Sequence, residues 1–495
     1  MQKDKKVIVI GSGFAGLTAA SVLAKEGYKV TILEKNDQAG GRAQIWEKDG
    51  FTFDMGPSWY WMPEVFEAYF NLFGKSVSDY YQLVRLDPGY RVYFGKNDYI
   101  DVPAAMDKLE TLFEKEEAGA AAKLREFLKQ AAYKYEVGMK DYVFRPSHSI
   151  TEFIDYRLIR ESFRIQMFSS MRTHVRKYFT NPRLRKILEF PVLFLGATPA
   201  NTPALYSMMN HADLTLGTWY PMGGMYEIVR AMVSLAESVG VEIKLNCEVK
   251  KIVVDKGVAT KVITEQGEFA ADVVIANADY QHTDQTLLDR PWRNYTAQYW
   301  ENRTMSPSSL LFYMGLNRKV ADIQHHNLFF DEDFDLHAEE IYTHPKWPTR
   351  PLFYVSSTTK TDPGVAPEGM ENMFILIPLA PGLEDSDAQR EAIYQKVMDR
   401  YAAITGDDIR DAVILRRSYA MRDFEKDYHS FKGNAYGLAN TLLQTAFFKP
   451  KLKSRKVRNL YYTGHLTVPG PGVPPSLISG QVVAREVITS AGGYH

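Results

Sequence analysis

Three glycines, Gly11, Gly13 and Gly16, stand in a G-x-G-x-x-G spacing, and an acid, Glu34, follows further along. Such a set can hold two linked phosphates and a ribose. Gly11 permits a tight turn, Gly13 lets a pyrophosphate approach the backbone, and Gly16 lets a helix pack closely on a strand. Phe14 and Ala15 complete the loop, where a helix would open and turn free N–H groups toward the phosphates. Glu34 can accept hydrogen bonds from ribose hydroxyls, and Lys35 adjoins it.

The flanking residues supply the elements that must position this loop. Val7 to Ile10 is a short β-branched run, the pattern of a buried parallel strand. Leu17 to Ala24 is helical in character and free of proline, and Gly27 ends it. Val30 to Leu33 reads as a second strand. The strand–turn–helix–strand–acid unit predicts a dinucleotide site but does not choose between NAD and FAD. Gly40-Gly41-Arg42 is then either a surface turn with a solvated Arg or a second phosphate-proximal turn whose Arg42 neutralises a pyrophosphate oxygen. Gly56-Pro57-Ser58 reads as a rigid loop.

A second constellation lies at the other end of the sequence. Asn459 to Gly464 is a strand ending in glycine, and His465 to Pro475 is a stiff Gly/Pro turn. Ser476 to Ile488 is helical, with Pro474 and Pro475 where a helix tolerates proline. The helix start carries about half a positive charge, which would stabilise an anion. Between the two ends, Val249 to Val254, Val258 to Ile263 and Asp272 to Ala278 read as strands of a small sheet.

The whole composition narrows the classes. With 495 residues the chain can bury at least one large core. Lys plus Arg is 59 against 60 Asp plus Glu, which argues against a generic nucleic-acid binder. One cysteine, Cys247, excludes an intrachain disulfide framework, and it reads as a small buried residue rather than a flavin tether. Apolar runs such as Val7 to Ile10 are too short for a signal peptide or a membrane span. The expected location is the cytoplasm, peripherally on the inner face of the cell membrane. His325 and His326 stand beside the acidic run Asp331 to Asp335 and read as a solvated loop rather than a metal site.

With these pieces placed, the chain resembles, end to end, the bacterial-type phytoene desaturases among the FAD-dependent carotenoid desaturases. The Gly11 to Gly16 loop with Glu34, Gly40-Gly41-Arg42, Gly56-Pro57-Ser58, Trp219 to Met225 and Gly464 to Pro474 carry the resemblance. Two departures stand out: His465 where many relatives of the wider superfamily have an acid, and Pro475 in place of a common glycine. The resemblance implies an α/β fold with an α+β insert, like the amine oxidases: a Rossmann-like FAD domain, a mixed-sheet substrate domain and a helical cap. The FAD domain is expected from residues 1–70, 215–285 and 430–495, the substrate sheet from 286–429, and a mainly helical cap from 71–214. The resemblance further implies that Val249 holds the adenine through its backbone and that Gly464, Val473 and Pro474 face the flavin.

The implied reaction introduces double bonds into a forty-carbon polyene such as phytoene. A hydride goes to FAD and a proton leaves the neighbouring carbon. The allylic cation makes a weak base sufficient, even water. Asp155 and Arg157, with Arg160, lie where the family places an Asp/Arg pair, though at another spacing, and His465 is the other catalytic candidate. Oxygen or a quinone would take the electrons. A γ-carotene-type or 1-hydroxycarotenoid 3,4-desaturase has nearly the same motifs. Rival readings are an amine or protoporphyrinogen oxidase, or a prenyl-binding escort protein of the same fold; an intact flavin site argues against the last. Because the substrate must come from a bilayer, Arg157 to Phe179 matters: it is basic, with Phe168, Met171, Val175 and Tyr178 at helical spacing. That stripe could lie on an anionic membrane or pack on the core, and ordinary core packing is the better-supported of the two.

Overall fold

The computed structural model describes residues 4–146, 169–441, 444–445 and 448–491. The run Val7 to Ile10 is buried on both faces, as a continuous β-branched stretch requires. It lies in β1 (Lys6–Ile10), followed by α1 (Phe14–Lys25) and β2 (Lys29–Leu33). β1 is central in a five-stranded parallel sheet, between β2 and the strand Val273–Ala276. Glu242–Lys244 and Leu460–Tyr462 form its edges. Strands far apart in sequence thus build one sheet.

Alternation along β1 assigns its two faces. Val7 and Val9 belong to a core shared with Leu17 and Leu23 of α1 and Leu477 and Val483 of the last helix, Val473–Ala491. Ile8 and Ile10 face the other way, into a core with Cys247, Ile252 and Val262. That core rests on a three-stranded antiparallel sheet, Val249–Asp255, Val258–Thr264 and Gly267–Ala270. The last helix packs so closely on α1 that a Cβ on Gly480 would sit 2.4 Å from the Ala15 carbonyl oxygen.

A seven-stranded sheet forms the other layer, in the order Val413–Tyr419, Ser308–Leu316, Glu371–Leu379, Phe353–Ser356, His326–Phe329, Tyr90–Gly95, Asp98–Val102. Its last two strands come from residues expected in the helical cap. One face carries Phe312, Phe329, Val355 and Ile375, buried with Tyr394, Val397 and Tyr401 of the helix Asp387–Thr405. The opposite face carries a cross-strand row, Leu328, Tyr354, Leu376 and Leu311, in register. The cap includes two consecutive helices, Met106–Glu116 and Ala120–Val137. They part at Gly119, whose φ of +78° suits glycine.

Candidate functional site

One cavity of about 750 Å³ runs between the two sheets. It begins at the glycine loop, where Gly11 takes φ +95° and its N–H donates to Leu33 O at 2.8 Å. A Cβ on Gly16 would lie 2.3 Å from Gly11 O, and one on Gly13 would lie 3.0 Å from Asn277 Nδ2. Only glycine therefore lets α1 start this close to the sheet. Glu34 is buried, and its Oε2 accepts from Ser12 N–H at 2.8 Å and Ser12 Oγ at 2.7 Å. Its Oε1 accepts from Asn36 N–H at 2.9 Å. Ser12 and Asn36, unremarkable in sequence, thus fix the carboxylate at the cavity edge. Lys35 donates to Lys426 O beside it.

The second turn is part of this wall. A Cβ on Gly41 would lie 3.1 Å from Gly13 Cα, and one on Gly56 would lie 2.0 Å from Arg42 O. Arg42 is no solvated surface residue. Its Nη2 donates to Ser430 Oγ at 2.8 Å, and its guanidinium lies 5.5 Å from the Tyr428 ring centre. Its Nη1 meets His465 Nδ1 at 3.2 Å, while its Nε is buried with no partner. Burial and the neighbouring Arg42 and Lys449 hold the His465 imidazole well below its ordinary pKa. It is therefore neutral: Nδ1 accepts from Arg42 and Nε2 is left without a partner. Lys449 Nζ is also buried and unpartnered, and burial pushes its ammonium down to about 7.

An acid missed from the sequence holds the Gly56 loop. Asp54 accepts from Met225 N–H at 2.8 Å and Tyr226 N–H at 3.0 Å, at the start of the helix Tyr226–Ser238. A Cβ on Gly224 would press within 3.0 Å of that carboxylate, and one on Gly223 would lie 3.0 Å from the Glu227 side chain. The signal was available, an acid two residues before a Gly-Pro turn, but its partner lies far along the chain.

Val249 lines the same cavity on the Glu34 side, where Cys247 N–H bonds Glu34 O, together with Glu248, His282 and His429. The two imidazoles stack at 4.0 Å, and His429 Nε2 meets Glu248 Oε1 at 2.8 Å. At the C-terminal motif, Ser479 Oγ accepts from Gly464 N–H at 3.1 Å and bonds Thr463 Oγ1 at 2.9 Å. This fastens the turn to the last helix, whose first residues Val473 and Pro474 line the cavity. Pro57 and Ser58 line it too. The opposite wall includes the row Leu311, Leu328, Tyr354 and Leu376, with Phe330, Phe190 and cap residues such as Met139 and Met208.

One expectation changes. His325 and His326 are not in a solvated loop: both are buried, and His326 opens a sheet strand. Asp155, Arg157 and Arg160 lie outside the described residues. Of the basic stretch, the described helix Met171–Tyr178 turns its stripe inward, with Met171 and Val175 fully buried, and Arg172 pairs with Asp335 at 3.1 Å. The stripe is core. No described helix is long and apolar enough to cross a membrane. Cys247 is buried, and its N–H donates to Glu34 O at 2.7 Å.

The cradle fits a flavin adenine dinucleotide. It has a glycine wall where any Cβ would collide, a buried Arg42 Nε with nothing to bond, and a helix start at its far side. The profile of the flavin containing amine oxidoreductase family matches residues 14–488. A carotenoid 3,4-desaturase of Haloarcula japonica is 42% identical over 97% of this chain and 98% of its own length. A zeta-carotene-forming phytoene desaturase of Myxococcus xanthus is 31% identical, covering 99% and 95%. Among solved structures, an oxidoreductase from Methanosarcina mazei superposes with a TM-score of 0.65 at 16% identity, covering 97% of this chain and 100% of that one. The chain is a member of the flavin containing amine oxidoreductase family and, within it, of the FAD-dependent carotenoid desaturases.

Proposed function

We propose that this enzyme desaturates a forty-carbon carotenoid lying along the apolar sheet face, with FAD along the glycine wall. The observation that carries this reading is the continuity of the two walls in one cavity. In it the pyrophosphate lies between the Gly11–Gly16 loop and Arg42, whose free Nε points to an anion. Glu34 takes the ribose, Val249 the adenine, and Val473 and Pro474 the flavin's pyrimidine side. The FAD domain is residues 1–70, 215–285 and 430–495, and the rest holds the substrate. When bound, the flavin supplies the two-electron acceptor.

The chain's own residues do the remainder. Leu311, Leu328 and Leu376 align the polyene and keep water from it. His465, neutral between Arg42 and Lys449, adds no charge beside the reacting carbons. Phytoene is one substrate reading, following the Myxococcus relative. The 42% identity to the Haloarcula relative favours a second, 3,4-desaturation near a carotenoid end. Pigments extracted from hosts that make phytoene, or later carotenoids, test both. Colourless phytoene left unchanged in the first host and new double bonds in the second would select 3,4-desaturation.

The substrate must be drawn from a bilayer, because holding forty carbons in water costs on the order of 30 kcal/mol at ~0.8 kcal/mol per CH₂. Peripheral contact with the inner membrane face, with oxygen or a quinone as final acceptor, completes the reading. Removing the charges of Arg172, Arg176 and Lys177 should weaken co-sedimentation with anionic liposomes. Unchanged co-sedimentation would remove this helix from the contact.

A further inference from the structure

Desaturation removes a proton as well as a hydride, and an apolar wall has few places to put it. The imidazoles that line or back the cavity differ, and His282 and His429 are stacked on each other beside Glu248. His465 is opposed by two neighbouring cations, Arg42 and Lys449. His337 has both ring nitrogens engaged, Nε2 with Pro378 O at 3.0 Å and Nδ1 with Leu352 N–H at 3.1 Å. His326 differs. It lies two residue pairs along the sheet from the cavity row, on the same face, and its Nδ1 meets the Tyr354 hydroxyl at 2.6 Å. Its Nε2 is buried and has no partner. Its ring is stacked on the Trp59 indole, with ring centres 4.1 Å apart and planes 10° apart.

Tyr354 itself lines the cavity in the middle of the leucine row. Ser58 also reaches its hydroxyl, and the Gly56-Pro57-Ser58 loop presses on Arg42. The phenol therefore stands between the cofactor wall and the polyene wall. Its hydroxyl bonds an imidazole, that of His326.

We propose, on the carotenoid-desaturase reading above, that Tyr354 is the catalytic proton acceptor and that His326 is the positioning residue behind it. The hydride carries its electron pair to the flavin, the two-electron oxidant. On the neighbouring carbon the C–H bond breaks and its electrons become the new π bond. The proton bonds to Tyr354 Oη as that oxygen's own proton moves to His326 Nδ1. The resulting imidazolium lies flat on Trp59, where a cation over an indole face is stabilised. Buried imidazole is a weak base, but a carbon beside an allylic cation is a strong acid, so a weak base suffices.

The test uses the full-length holoenzyme, with FAD content read from its visible spectrum and polyene binding from tryptophan fluorescence. Tyr354→Phe should keep both and slow product formation about 100-fold, the scale of a lost general base. With a carotenoid deuterated at the carbon that loses the proton, the isotope effect should rise above that of the wild type. His326→Gly should be inactive and regain turnover with added free imidazole, which a packing role would not give. An active wild type with a Tyr354→Phe variant equally fast, or with an unchanged isotope effect, overturns the proposal alone. A wild type that binds FAD yet desaturates no carotenoid overturns the functional reading and this proposal together.

Discussion

The glycine end of the cavity is walled by backbone, and the sheet end is walled by side chains. At the first, Gly16, Gly41 and Gly56 pack so that an added carbon would meet main-chain atoms within about 2–3 Å. At the second, four strands each contribute one residue to the row Leu328, Tyr354, Leu376 and Leu311. A backbone wall tolerates almost no substitution, because main chain cannot swing aside. A side-chain wall can repack, so its shape is shared among many residues and set by sheet register.

The sharpest way to break this contrast is Gly16→Val. Its Cβ would overlap Gly11 O, and an overpacking cost of about 3 kcal/mol corresponds to a fall in FAD affinity of about 100-fold. Flavin retained in full after gel filtration would show that the loop can yield and that the contrast is false.

The next comparison sits within one strand. Ile375 faces the second core and is fully buried, while its neighbour Leu376 faces the cavity. Ile375→Ala should cost about 2–5 kcal/mol in denaturant unfolding, with the surviving enzyme still active. Leu376→Ala adds to space already open, so it should cost less than about 2 kcal/mol yet slow polyene turnover. Equal losses of stability would erase the distinction between core face and cavity face.

The last effect concerns Asp54, whose carboxyl burial pushes up to about 6. A carboxyl raised on folding adds stability below its unfolded value and loses it as pH rises through the folded one. The wild type should therefore lose about 2–3 kcal/mol relative to Asp54→Asn between about pH 4 and pH 7. A stability difference that does not vary with pH would mean that the two N–H bonds from Met225 and Tyr226 dominate over burial.

The cofactor end was legible early because its rules are local. A strand, a three-glycine turn and a helix start need only neighbours in sequence, so Gly11 to Gly16 could be assigned from spacing alone. Arg42 was legible as a charge near a turn, but not as a buried group held by Ser430 and Tyr428. His326 was misread for a related reason. Beside Asp331 to Asp335 it looks solvated, yet His326–Phe329 is a central strand between Tyr90–Gly95 and Phe353–Ser356. The stripe Met171 and Val175 favoured a core over a membrane only narrowly in the sequence, and the packing, with both side chains fully buried, bears the core out.

By itself, then, the amino-acid sequence determined the dinucleotide cradle, the Gly/Pro turn before the last helix and the family. Each rests on backbone conformations that few residues other than glycine and proline adopt. The tertiary structure alone decided which face of the seven-stranded sheet meets the cavity and which histidine meets Tyr354. A strand presents its residues alternately to two sides. Which side becomes the wall is settled only when one face packs against the helix Asp387–Thr405 and the other is left to the substrate.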